Sequence, residues 1–482
     1  MNYLMILTII GKVLCVEAVF MLPPMVISLC LGEYGAASAL VLSAAAAVIA
    51  GLPLSLIKPP KRDIFARDGL VTVGAAWIFV SVFGALPFFF SGAIPGFIDS
   101  LFESASGFTT TGATVLAEIE SLPKGILFWR CFTHWLGGMG VLVFLMILNP
   151  LTAKNSGENM HLLRAESPGI RTSKLVPRMK DSATILYLIY IGMTLLQVIM
   201  LLFGGESVYD SVCIAMSTAG TGGFSAYNDS MASFSSYTQW VTTVFMLLFS
   251  INFSIWFMLL LGQWRRALSN GELRTFLLIV AGAVGLLMFS TRGMFSGIGE
   301  SFRVCAFNTA SIISTTGYCT VDFDLWPEFA RMLMVMLMMI GACAGSTGGG
   351  AKVIRVRLLI KIIHRSIHNA FNPNKVNLIH EDGDIIDDRT VSSVNSYFLI
   401  YFTIIALVSL LVSLDGFSFE SSFSAVVSCI NNVGPGLGAV GAVRNYGGFS
   451  VFSKLLLTLT MITGRLELYP ILVFLAPSIW KK

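Results

Sequence analysis

Stretches of twenty or more residues almost free of charge recur along this chain, at 3–30, 36–57, 69–90, 126–148 and 183–203. Each is long enough to cross about 30 Å of hydrocarbon as a helix. Of the 482 residues, 55% are hydrophobic and only 12% charged, so the polar surface is far too small to wrap a soluble globule of this length. The sequence therefore predicts an all-α integral membrane protein. The first run has no small-residue cleavage site behind a basic head and is read as a retained helix rather than a secretory signal. Within it, Lys12 and Glu17 read as a pair turned toward other helices. The eight cysteines, among them Cys15, Cys30, Cys213, Cys343 and Cys429, sit mostly in apolar stretches without CxxC spacing or a histidine cluster, which argues against a disulfide framework or a metal centre.

Topology follows from the basic loops, because Lys and Arg accumulate on the cytoplasmic side. Those loops are 58–67, 154–180, 265–274 and 361–389, with Lys352, Arg355, Arg357 and the terminal Lys481 and Lys482. Between consecutive loops the chain must cross an even number of times, so both termini are expected in the cytoplasm. The first interval holds an N-terminal helix pair, 1–57.

Each later interval holds an apolar helix, a shorter stretch rich in Gly, Ser and Thr, and a second apolar helix. The four repeats are 69–150, 182–263, 275–361 and 395–480. Their middle stretches read SASGFTTTGATV from Ser104, AMSTAGTGGFSAYN from Ala215, ASIISTTGYCTVDF from Ala310 and AVVSCINNVGPGLG from Ala425. In each, a short helix, preceded by Phe102, Val212, Phe307 or Phe423, runs into a turn whose glycine is Gly112, Gly222, Gly317 or Gly434.

Open backbone cannot face lipid, so four such loops at membrane depth must line protein or water. The residues ahead of the glycines, Thr110 and Thr111, Gly220 and Thr221, Thr315 and Thr316, Asn432 and Val433, are small enough for carbonyls to turn inward. Rings of carbonyl oxygens can replace the hydration shell of a potassium ion. Those residues and the glycines they precede carry no charge, which argues against a carboxylate ring and against an anion pore. The C-terminal ends of the short helices add partial negative charge at the same place.

The stretches GFTTTGATV, STAGTGGFS, STTGYCTVDFDLWP, NNVGPGLG and GRLELYP resemble the bacterial Trk/Ktr potassium uptake family, specifically its TrkH-type membrane subunit, over essentially the whole chain. The resemblance implies four helix–pore loop–helix repeats around one pseudo-fourfold pore, preceded by two extra transmembrane helices, in the bacterial inner membrane. The extra pair fits the TrkH type better than the shorter KtrB type, and glycine in all four loops resembles the potassium-selective members. Gly220, where other members often carry a larger residue, and the N-V-G-P order of the fourth loop make the ring fourfold only in outline. The resemblance also implies a homodimer and a peripheral TrkA-type nucleotide-binding regulatory subunit, since the cytoplasmic stretches 152–181 and 357–394 are too short for such a domain. Anionic membrane lipid could equally anchor those stretches. No organic cofactor and no nucleic acid are expected.

After the third loop the run MIGACAGSTGGGAKVIRVRLL interrupts a helix with Gly341, Gly345, Gly348, Gly349 and Gly350. Such glycines suit close helix packing. They also suit a mobile obstruction, and the resemblance implies a gating loop comprising Gly345, Ser346, Thr347, Gly348, Gly349 and Gly350. Arg465, alone in an apolar helix, pairs either with Glu467 or another acid, or, as the resemblance implies, faces the pore as a fixed positive charge opposing cations. His134, Asn252 and Gln197 read as hydrogen bonders between helices. An intramembrane enzyme is disfavoured: there are no paired intramembrane aspartates, no serine with a base and no HExxH. A secondary transporter coupling potassium to protons or sodium by alternating access stands as the alternative, although such folds usually pair inverted halves rather than four parallel repeats.

Overall fold

The computed structural model describes residues 1–59, 65–140, 179–372 and 377–476. Parts of the basic loops 58–67, 154–180 and 361–389, the end of the run 126–148, the ends of the first and fourth expected repeats, and Lys481 and Lys482 lie outside the described residues. The chain is almost wholly helical; a single two-stranded antiparallel hairpin, β1 (Ile379–Glu381) and β2 (Asp384–Ile386), is the exception among the described residues.

The N-terminal pair is α1 (Tyr3–Phe20) with its continuation α2 (Leu22–Cys30), and α3 (Tyr34–Ser55). Pro23 and Pro24 cannot extend the hydrogen-bond ladder of α1, and the path changes at Met21. α1 and α3 cross where Gly11 meets Gly51: a Cβ built on Gly11 would lie 2.6 Å from the Gly51 carbonyl oxygen. Such close backbone approach is how membrane helices gain dispersion contact without a hydrophobic driving force. The expected pairing of Glu17 with Lys12 does not form. Among the described residues neither oxygen of the buried Glu17 is hydrogen-bonded; its carboxyl group turns instead to Gly84, on which a Cβ would lie 3.1 Å from Oε1.

Each following unit opens with a long helix: α4 (Ala66–Gly84) with α5 (Leu86–Phe90), α8 (Met179–Phe203), α13 (Gly271–Ser290) and α17 (Asp388–Val412). Together with the N-terminal pair these supply six helices long and apolar enough to cross a membrane. Each then descends through a short helix: α6 (Phe97–Phe108), α9 (Val208–Gly220), α14 (Ile298–Ile313) and α18 (Phe419–Asn431). Ser207 and Ser418 cap α9 and α18 by accepting from Asp210 N and Ser421 N.

The second helices depart from expectation. α7 (Lys124–Gly138), α10 (Ser236–Ser250), α15 (Glu328–Ile340) and α19 (Val451–Arg465) have 15, 15, 13 and 15 residues, about 20 Å of helix at ~1.5 Å per residue, short of a full crossing. A break was expected in the third unit alone. α10 instead turns 95° into α11 (Phe253–Leu260), α15 gives way to residues 341–352 before α16 (Val353–Phe371), and α19 is parted from α20 (Tyr469–Leu475) by a left-handed turn at Glu467 and Leu468. A short helix α12 (Trp264–Ser269) links the second and third units. The freed backbone groups find partners in one another: Phe253 N–H donates to Gly345 O at 2.9 Å and Cys343 N–H to Ser250 O at 3.1 Å, so the break in the third unit heals that in the second.

Candidate ion pathway

The short helices α6, α9, α14 and α18 end identically. An N–H donates back across six residues to a serine carbonyl in every case: Thr111 to Ser106, Gly222 to Ser217, Thr316 to Ser311 and Val433 to Ser428, at 2.8, 2.9, 2.9 and 3.0 Å. The residue before each of these N–H groups is left-handed: Thr110 (φ 55°), Thr221 (55°), Thr315 (60°) and Asn432 (54°). This is the Schellman termination, built here on β-branched threonine at three of four sites, where positive φ costs roughly 1–2 kcal/mol. A second positive φ follows two residues on, at Gly112 (78°), Gly223 (77°), Gly317 (82°) and Gly434 (100°). Two left-handed residues separated by a single one thus turn the backbone sharply at the same place in all four units.

This geometry corrects the register expected in the second loop. Gly223, not Gly222, is the counterpart of Gly112, Gly317 and Gly434. Gly222 stands where Thr111, Thr316 and Val433 stand, and Gly220 ends α9, outside the turn. There a Cβ would meet the His134 carbonyl at 2.2 Å, so Gly220 serves packing between α9 and α7.

The four turns close on one another. A Cβ built on Gly112 would lie 2.0 Å from Gly222 O, on Gly223 1.9 Å from Thr316 O, on Gly317 2.1 Å from Val433 O, and on Gly434 2.7 Å from Thr111 O. Each glycine thus rests on the carbonyl of the next unit, in the cyclic order one, two, three, four, one. The four oxygens are equivalent positions of the four turns; the residues that carry them, Thr111, Gly222, Thr316 and Val433, are buried and uncharged, while Gly112, Gly223 and Gly317 are partly exposed. Side chains bind the seams: Asn432 Nδ2 donates to Thr111 Oγ1 at 2.9 Å, Phe224 N–H donates to His134 Nδ1 at 3.4 Å while the two rings stack at 4.1 Å, and Gly438 N–H donates to Asp324 Oδ2 at 2.9 Å. Burial lifts the Asp324 carboxyl above the ordinary range, against the pull of that N–H. Of the other intramembrane amides expected to bond between helices, Asn252 caps α11 through Ser254 N–H at 2.8 Å, whereas the buried Gln197 makes no side-chain hydrogen bond among the described residues.

Residues 341–352 lie against the helix-end side of the ring. Gly349 N–H donates to Thr315 Oγ1 at 2.7 Å, a Cβ on Gly348 would sit 2.8 Å from Ser314 O, and one on Gly349 2.3 Å from Asn431 O. Gly345 abuts Asn252, Ser346 Oγ donates to Cys343 O at 2.6 Å and Thr347 Oγ1 to Phe249 O at 3.3 Å, and Gly350 packs on Gly341. Buried Lys352 reaches Gly348 O. Arg465 does not pair with Glu467. The turn after α19 carries Glu467 to Arg355, with which it forms a salt bridge, while Arg465 donates to Thr347 O at 2.7 Å, Gly137 O at 2.5 Å and Gly138 O at 2.8 Å. It spans from the end of α7 to the loop. Chemically, the assembly offers an uncharged ring of backbone groups beside a glycine-rich segment tied by one guanidinium.

Comparison with known proteins bears on this arrangement. The family model described as "TrkH: Cation transport protein" matches residues 39–482. The Trk system potassium uptake protein TrkH of Vibrio parahaemolyticus is 32% identical over the full length of both chains. TrkG of Escherichia coli is 31% identical, covering 98% of this chain and 97% of its own, and TrkH of Salmonella typhimurium is 34% identical over 88% of each. The crystal structure of the potassium transporter TrkH from Vibrio parahaemolyticus superposes with a TM-score of 0.89 over all of both chains, at 30% identity.

Proposed function

The chain belongs to the TrkH family of cation transport proteins, and on that premise we propose that it takes up potassium through the ring formed by Thr110, Thr111, Gly112, Thr221, Gly222, Gly223, Thr315, Thr316, Gly317, Asn432, Val433 and Gly434. It is a multi-pass membrane transporter, not an enzyme. The observation that carries the reading is the cyclic contact of glycine on carbonyl, which leaves four equivalent oxygens of one chain around a single axis. Neutral carbonyls exchange for water around a weakly hydrated cation without the strong binding a carboxylate ring would impose. The functional units are 69–150, 182–263, 275–361 and 395–480, each contributing one quarter of the ring.

The segment Gly345–Gly350 acts as the gate, and Arg465 holds it shut through its bond to Thr347 O. Opening requires local backbone movement of a loop rich in glycine rather than displacement of helices. The relatives are named as parts of a Trk system; from the family likeness we infer a homodimer served by a TrkA-type nucleotide-binding subunit in the inner membrane, and the distribution of basic loops supports cytoplasmic termini.

The test is uptake of rubidium-86 into liposomes carrying the purified protein, with competition by potassium, sodium and lithium. Potassium should block far better than sodium, and Gly112→Ser and Gly317→Ser should erode that preference. Uptake that is absent, or indifferent to both glycines, would overturn the assignment of the ring.

A further inference from the structure

Two charges buried outside the ring take no part in the function described above. Glu103, on α6, is 0% exposed and Arg130, on α7, 2%. Arg130 Nε donates to Glu103 Oε1 at 2.6 Å, and its NH1 donates to Ser225 O at 2.8 Å. The guanidinium lies 3.5 Å from the centre of the Phe224 ring. Glu103 also accepts from Thr114 Oγ1 at 2.9 Å and from Val115 N–H at 3.0 Å. Thr114 stands two residues beyond Gly112 and Ser225 two beyond Gly223, so the pair grips equivalent points of the chain as it leaves the first and second turns.

A buried ion pair is weak evidence for stability, since desolvation offsets the attraction. Its geometric content is stronger. Glu103 holds one strand by two groups, Arg130 holds the other by one, and the fork of the guanidinium fixes the distance between them. We propose that Glu103 and Arg130 are positioning residues that hold the first and second quarters of the ring at the separation suited to potassium, and that their mutual neutralisation sets cation affinity at the mouth. The inference rests on the reading of the ring as the ion filter.

Two consequences separate. Geometry governs the preference of potassium over sodium, and charge governs the apparent KM. Glu103→Gln leaves an unbalanced guanidinium beside the path and should raise KM for rubidium at least about fivefold. Arg130→Gln leaves a carboxylate and should lower it. The double variant Glu103→Gln with Arg130→Gln is neutral again, so KM should return to within about twofold of the native value while the potassium preference stays reduced. Arg130→Lys keeps the charge but cannot bridge Glu103 and Ser225 O together; its KM should hold and its preference fall.

The experiment is rubidium-86 uptake by purified, reconstituted protein, giving KM and the ratio of potassium to sodium inhibition for the four variants, with Gly112→Ala and Gly223→Ala alongside. A purely structural pair would lower the yield of protein without moving KM in opposite directions. Should a single variant fail to assemble, the double variant and Arg130→Lys decide the question, because neither leaves a lone charge. Native preference in both would overturn the proposal, as would KM shifts of the same sign in Glu103→Gln and Arg130→Gln. If the two glycine controls also keep native preference, the ring itself is misassigned; if only they lose it, the positioning role alone falls.

Discussion

An alanine at position 223 would place its Cβ 1.9 Å from the Thr316 carbonyl oxygen, where ordinary contact begins near 3.4 Å. The oxygen would have to retreat by about 1.5 Å, the difference of those distances. Thr316 cannot yield that far as a unit: its N–H is held by Ser311 O at 2.9 Å and its hydroxyl shares a hydrogen bond of 2.7 Å with Ser314. The easier relaxation rotates the peptide and takes the oxygen off the axis, which removes one of four ring ligands. A further ~1–2 kcal/mol comes from forcing alanine to a φ of 77°. If the lost oxygen is worth as much to a bound cation as a hydrogen bond to a charged group, about 1.5–3 kcal/mol, potassium preference should fall roughly ten- to a hundredfold. Rubidium uptake with sodium competition measures this directly. Gly222→Ala is the companion variant: that position carries Thr111, Thr316 and Val433 in the other units, so its backbone tolerates a side chain, and its Cβ would collide with the His134 ring at 2.2 Å. It should lower protein yield more than selectivity. If Gly222→Ala erodes preference as Gly112→Ala does while Gly223→Ala leaves it intact, the register derived from the backbone is refuted.

Arg465→Ala removes the bonds to Thr347, Gly137 and Gly138 and should raise rubidium flux; unchanged or lower flux at normal expression would count against the gate. Thr315→Val deletes the acceptor of the Gly349 N–H and, at about 1 kcal/mol for one hydrogen bond, should raise the open fraction of the loop some fivefold, read as initial uptake rate. Gly220→Ala forces a methyl against His134 O and should reduce the melting temperature of the purified protein while the potassium-to-sodium ratio in surviving protein is kept.

The membrane class, the repeats and three of the four turns are legible in the sequence because apolar length and loop composition are local properties. The second turn was misread because G-T-G-G offers three glycines, and only the backbone angles show which takes positive φ. The serine six-residue return would have resolved it: Ser106, Ser217, Ser311 and Ser428 each stand five residues before the second member of the turn, and counting from Ser217 arrives at Gly222 and then Gly223. The partner of Arg465 was unreadable for another reason. Glu467 is two residues away in sequence, but a left-handed turn at Glu467 and Leu468 sends the two side chains apart, and the carbonyls that receive Arg465, one in the loop and two at the end of α7, come from 118, 328 and 327 residues upstream. The breaks after α10 and α19 carry no glycine run to announce them: the first is satisfied by a distant segment, Phe253 N–H on Gly345 O, and the second by its own turn, Glu467 N–H on Gly464 O and Leu468 N–H on Thr463 O. Glu103 and Arg130 did leave a signal, a carboxylate in LFESASGF and a guanidinium in FWRCF, each the single charge of its stretch where an unpaired charge is costly.

Because the ring is closed by one polypeptide, a point substitution alters a single quarter of it. In a ring of four identical chains the same change would strike every position at once, with the full effect or none. Here Asn432 can brace Thr111 from one side only, while His134 and the pair Glu103 and Arg130 work on the seam between the first and second units alone. On the proposed function, conductance and discrimination can therefore be altered one quarter at a time, by substitutions that leave the other three carbonyls where they are.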